Sequence, residues 1–145
     1  ICDVDKEYDG HKFTLKEYIE VENNYVNFIT DIMEYSEMEF VSVRRFNLYE
    51  SISKRIAKDK RFREINEPLK DMDRSLRKGA RIHRSKIGGY IRACLRELAE
   101  ISFENKGKGF EFDFGYDYYM HIRSSLPVEQ LSQIARQNDL FLDPR

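Results

Sequence analysis

The chain has 145 residues, of which 41% are hydrophobic and 35% charged, and carries a net charge of −1. That length fits one domain with one core, and plentiful, periodically spaced Phe, Tyr, Ile and Leu exclude a disordered chain. No apolar run approaches the roughly 18 residues that span a bilayer, and no basic-then-apolar leader marks an export signal, so the expectation is one cytoplasmic globular domain over residues 1–145 with no membrane segment.

Residues 1–12 show no period and predict an extended or frayed leader. Thr14 with Glu17 three positions on is a capping-box signature. Behind it Leu15, Tyr18, Ile19, Tyr25, Val26, Ile29, Ile32 and Met33 recur at spacings of three and four, which predicts an amphipathic helix to about Tyr35. In the next stretch Phe40, Val41 and Val43 fit a short strand. Phe46, Tyr49, Ile52 and Ile56 fit a helix, and the spacing is read as a helix over 42–58. Asn66 as N-cap, Pro68 in the first turn and the acids Glu67, Asp71 and Asp73 predict a third helix with Leu69, Met72 and Leu76 inward and a stop at Gly79. A fourth is predicted from Ile87, Tyr90, Ile91, Cys94, Leu95, Leu98 and Ile101, with Gly88 and Gly89 either weakening its start or admitting a close neighbour.

The segment 104–109 is a chain breaker. From Phe110 to Ile122 every second residue is then apolar, the strongest periodic signal in the chain. Thirteen positions exceed an ordinary strand, so Gly115 marks a bend, bulge or turn; the unbroken parity favours one bent strand over a hairpin. Its backbone needs partners, and residues 140–142 or 38–45 are the candidates. Ser125, Pro127, Val128, Leu131, Ile134 and Ala135 predict a last helix, and 140–142 a last short strand. The expected fold is mainly α with a small C-terminal β element (α+β): four amphipathic helices, then strand, helix and short strand.

Catalytic signals are weak. His11, His83 and His121 have no Cys or His at ligand spacing, so neither metal nor cofactor is expected. Cys2 and Cys94 make no disulfide framework, and Cys94 reads as a core residue. Arg77 lies six residues before His83 in a basic segment read as helical. The pair resembles the Arg-x(4–6)-His motif of HEPN-type ribonucleases, which implies His83 as general acid or base and Arg77 as a phosphate clamp. Lys78 and Gly79 depart from that family's pattern.

Charge is distributed in blocks. Residues 1–53 hold 12 acids and 5 bases (−7), residues 54–96 hold 15 bases and 5 acids (+10), and residues 97–145 hold 9 acids and 5 bases (−4). Either the acidic and basic elements pack together, or they form recognition patches of opposite sign. Arg74, Arg77, Arg81, Arg84, Arg92 and Arg96 are the candidate basic surface, suited to nucleic-acid phosphates. On the strand, Glu111, Asp113 and Asp117 are either a solvated face or a docking surface.

The stretch Phe114 to Met120, followed by a helix and a brief tail, resembles the ending of small bacterial immunity proteins of polymorphic-toxin and contact-dependent growth-inhibition systems. The resemblance implies a non-catalytic protein that binds a cognate toxin domain, often a nuclease, and occludes its active site or substrate surface. Acidic residues imitating phosphate would suit such a partner. The candidate contact residues are Glu34, Glu37 and Glu39 after the first helix, with Asp113, Tyr116, Asp117 and Tyr119 on or near the strand; tyrosines are favoured interface anchors.

Overall fold

Thr14 opens helix α1 (Leu15–Tyr35) with a complete capping box: its hydroxyl accepts the Glu17 N–H at 3.2 Å while the Glu17 carboxylate accepts the Thr14 N–H at 2.7 Å. The computed structural model describes residues 1–115 and 118–143. Ahead of α1, the leader is not frayed. Residues Glu7–Tyr8 (β1) and His11–Lys12 (β2) form a small hairpin, and Val4 is buried with Tyr18 and Phe62 in a satellite cluster.

The remaining strands are β3 (Phe40–Asn47), β4 (Arg81–His83), β5 (Glu100–Asn105), β6 (Phe110–Phe114) and β7 (Met120–Arg123). They form one antiparallel sheet in the order β4-β3-β5-β6-β7. The helices besides α1 are α2 (Ile52–Lys58), α3 (Arg63–Asn66), α4 (Ile87–Leu95) and α5 (Val128–Gln137). Among the described residues, then, five helices accompany a five-stranded and a two-stranded sheet, and the expectation of a mainly helical chain with a small C-terminal β element is overturned.

Four local features produce that correction. Residues 40–47 are strand, and only 52–58 of the segment read as helix is helical. The register of β3 on β5 slips between Val43, opposite Phe103, and Arg45, opposite Ser102, a β-bulge at Arg44. The extra residue breaks period-two alternation, so the strand's own pattern is lost halfway along it.

The helix read through 87–101 stops at Leu95. The Glu97 N–H bonds the Cys94 carbonyl at 3.0 Å and the Leu98 N–H bonds the Ala93 carbonyl at 2.9 Å, a Schellman closure with Glu97 at φ 58°. Helices α1 and α5 close in the same way, with Glu37 (φ 54°) and Asp139 (φ 53°) in the left-handed position. No glycine announces any of these stops. The chain then turns back as β5, whose Ile101 and Phe103 enter the core.

The long aromatic strand is a hairpin. Phe112 faces Ile122 and Phe114 faces Met120, and the Gly115 N–H donates to the Tyr119 carbonyl at 2.7 Å. Directly opposed residues share a face, and here even positions oppose even positions. A connection with an odd number of residues therefore preserves the parity that a single strand would show.

Where the spacing predicts a helix from Asn66, α3 instead ends at that residue and only 3-10 turns follow, at Glu67–Leu69 and Met72–Ser75. The segment's apolar residues still face inward, with Leu69 and Leu76 buried. The expected strand at 140–142 is absent; Leu140 and Leu142 pack against the core as irregular chain.

One cluster joins the inward residues of the sheet to the buried residues of α1, α2, α4 and α5. Phe103 stacks on Phe112 with ring centroids 4.7 Å apart at its centre. A Cβ at Gly88 would lie 3.2 Å from Val26 Cγ1, a tight contact at which the valine side chain would have to shift by a few tenths of an ångström where α4 meets α1. Between these two helices lies a buried charge cluster. Arg96 forks onto Glu22 with both bonds at 2.7 Å, and Arg92 adds a third at 2.9 Å. This pairing joins the acidic N-terminal block to the basic middle block within the core.

Candidate functional site

The helices cover one face of the sheet and leave the other to its own side chains. On that outward face, the registers place Arg81, Ser42, Glu104, Glu111 and Arg123 in a row across all five strands. A second row holds Arg45, opposite Ser102, and Asp113, opposite His121. The bulge turns both Arg44 and Arg45 onto this face. Arg44 Nη1 lies 3.6 Å from Glu111, Arg45 Nη2 lies 3.9 Å from Asp113, and Arg123 Nη1 lies 3.2 Å from Glu111.

The rows are layered. Arg45 and Arg123 are 75% and 78% exposed, whereas Asp113 and Glu111 beneath them are 29% and 26% exposed. Arg45 Nε also donates to the Ser102 hydroxyl at 3.1 Å, pinning its stem across β5. The outermost atoms are therefore guanidinium N–H groups, with the carboxylates lower. His121 Nδ1 lies 3.0 Å from Asp113 Oδ1, a cross-strand pair.

At the end of the sheet where β3 finishes, this face runs into an open cleft of about 610 Å³. Arg45, Phe46, Tyr49, Arg55, Glu100 and Asp113 are among its walls. Tyr49 is 74% exposed, and its hydroxyl donates to Glu100 at 3.2 Å. Cys94 lies at the cleft's base, buried, and desolvation pushes its thiol up to about 12, so it is neither ionised nor a nucleophile at neutral pH.

The acidic candidates are not one surface. Glu34, Glu37 and Glu39 are exposed around the C-terminal end of α1, at the end of the sheet where β3 begins and Asn105 and Phe110 pair. Tyr119, also exposed, precedes β7 at the opposite end, and Asp113 lies on the outward face between. Tyr116 and Asp117 lie outside the described residues.

The basic candidates are scattered as well. Arg92 and Arg96 belong to the core ion cluster, which removes them from any surface for phosphate. Arg74 pairs with Asp71 at 3.2 Å, and Arg84 donates to the Met38 carbonyl. Arg81 lies over the Phe40 ring, 4.2 Å from its centroid. Arg77 is in the turn before β4 and His83 ends that strand, so the helical setting expected for this pair is absent. His83 Nδ1 accepts the Ser85 N–H at 3.1 Å and caps the following 3-10 turn. Among the described residues, no group of three or more His, Cys, Asp or Glu side chains is placed to hold a metal ion.

Sequence reasoning missed Arg44, Arg45, Phe46, Tyr49, Glu100 and Arg123 as site residues. Their only signal is the pair Arg44–Arg45 inside an otherwise alternating Phe-Val-Ser-Val run, the mark of a bulge. Comparison with protein-family models, curated proteins and solved structures finds no match.

Proposed function

We propose that this chain is a binding protein of the immunity type, one that neutralises a toxin domain by covering its active site or substrate surface. Its contact surface is the uncovered face of the sheet with the adjoining cleft. The observation that carries the reading is that face itself. It joins exposed Arg and Tyr side chains, the residue types that anchor protein interfaces, to a concavity beside them, on a rigid sheet. The resemblance of residues 114–120 to the ending of small immunity proteins supplies the role.

The test is co-expression with a toxin domain, sought first among the genes adjoining this one. Protection of growth and a stable stoichiometric complex are expected. Tyr49→Ala and Arg45→Ala should each weaken that complex by about tenfold or more if they are anchors. Loss of neither protection nor affinity in both variants would place the contact elsewhere, and a wild-type chain that neither protects nor binds would end the immunity reading.

A further inference from the structure

The uncovered face also carries a sign. Along β3 and β4 every formally charged exposed side chain is an arginine, beside exposed Phe46, Asn47 and His83. Arg44 and Arg45 come from the bulge, Arg81 from β4, and Arg77 and Lys78 from the turn bonded to β3 through Gly79 N–H to Val43 C=O at 2.7 Å. Glu104, opposite Ser42 on β5, lies 3.8 Å from Lys106, while Glu111 and Asp113, one strand beyond β5, sit lower and reach Arg44 and Arg45 only at 3.6 and 3.9 Å. Those separations exceed a good N–H···O bond, so guanidinium donors remain for an incoming acceptor.

We infer that this β3–β4 ridge docks an acidic protein surface, each guanidinium taking a carboxylate of the partner. The inference rests on the binding role proposed above and gives that partner its chemistry: a toxin domain whose contacted face is rich in Asp and Glu. It also reverses the sign expected from Glu34, Glu37 and Glu39, which lie away from the cleft.

Two features favour protein carboxylates over nucleic acid. Glu104, Glu111 and Asp113 lie on the two strands next to the ridge, where a continuous phosphate chain crossing the sheet would meet them; discrete carboxylates avoid them. Phe40, on the outward side of the ridge, has the Arg81 guanidinium over it, so that ring is not open to stack a base.

The experiment titrates the isotope-labelled full chain with short polyglutamate, polylysine and oligouridylate at matched charge and low salt, reading amide shifts. Polyglutamate is expected to move the Arg44, Arg45 and Arg81 amides, and the double variant Arg44→Gln/Arg45→Gln to bind it about tenfold more weakly with an unchanged far-UV spectrum. The triple variant Glu34→Gln/Glu37→Gln/Glu39→Gln should bind it at least as well as the parent. No binding, shifts centred elsewhere, a preference for polylysine, or tighter binding of oligouridylate would each overturn the inference. Because these probes need no toxin, a failure of the ridge and a failure of the immunity role register in different experiments.

Discussion

Replacing Arg96 by Met would leave the Glu22 carboxylate buried with most of its partners gone. Glu22 and Arg96 side chains are 1% and 4% exposed, and Arg96 makes four hydrogen bonds. Two go to Glu22 at 2.7 Å, one to the Ile65 carbonyl at 2.8 Å and one to Asn66 Oδ1 at 3.0 Å. Removing one member of a buried ion pair costs about 3–5 kcal/mol. Arg92 still reaches one Glu22 oxygen at 2.9 Å and is itself 27% exposed, which argues for the lower half of that range. The orphaned Ile65 and Asn66 acceptors add about 1 kcal/mol each, so about 5–6 kcal/mol is expected, a large part of a small domain's total of roughly 5–15 kcal/mol.

The chain has no Trp, so urea unfolding followed by far-UV circular dichroism is the assay, with the midpoint falling and the slope unchanged. The double variant Glu22→Met/Arg96→Met removes both charges and should cost less than the sum of the single variants by about 2 kcal/mol or more. A cost under about 1 kcal/mol, or a double variant equal to the sum of its singles, would refute the claim that this cluster is tightly coupled.

Three further outcomes follow from the local geometry. Glu17, held down to about 2 by the Thr14 N–H and then His11, takes up a proton more readily when unfolded, so its contribution is present above pH 4.5 and lost as pH falls towards 2; the difference in Tm between wild type and Glu17→Gln should vanish over that window. Glu97→Gly relieves a left-handed residue at the end of α4 and should stabilise by about 0.5–1 kcal/mol in the same urea assay, a gain that a destabilised variant would disprove. Of the two thiols, exposed Cys2 should react with an aromatic disulfide reagent in the native protein and Cys94 only on unfolding; equal native rates would contradict the burial of Cys94.

Which parts were legible follows from whether the deciding interaction was local. The capping box at Thr14 and Glu17, the stripe of α1 and the stop before β6 involve neighbours a few residues apart, and the spacing declares them. It also declares the inward faces of β6 and β7. The bulge at Arg44 is different: it exists only because Ser102, far along the chain, pairs with Arg45. Left-handed Glu97 hides the end of α4 because its chemistry does not announce the conformation it takes.

The proposed contact surface was less legible than the fold. A spacing rule can propose Arg92 and Arg96 as an exposed row, but Glu22 on a distant helix decides that they turn inward. Arg44 and Arg45 become neighbours on one face only once the bulge is made.

The amino-acid sequence by itself determined which residues are apolar, where α1 begins, that residues 110–122 alternate, and that opposite charges occupy separate blocks. Only the tertiary structure decided that the alternating stretch folds back on itself, that β3 and β5 are strands, and that the acidic and basic blocks meet in the core. The physical reason is that alternation and helical period fix which side of a backbone is apolar, whereas pairing, register and the burial of a charge depend on what the rest of the chain brings opposite.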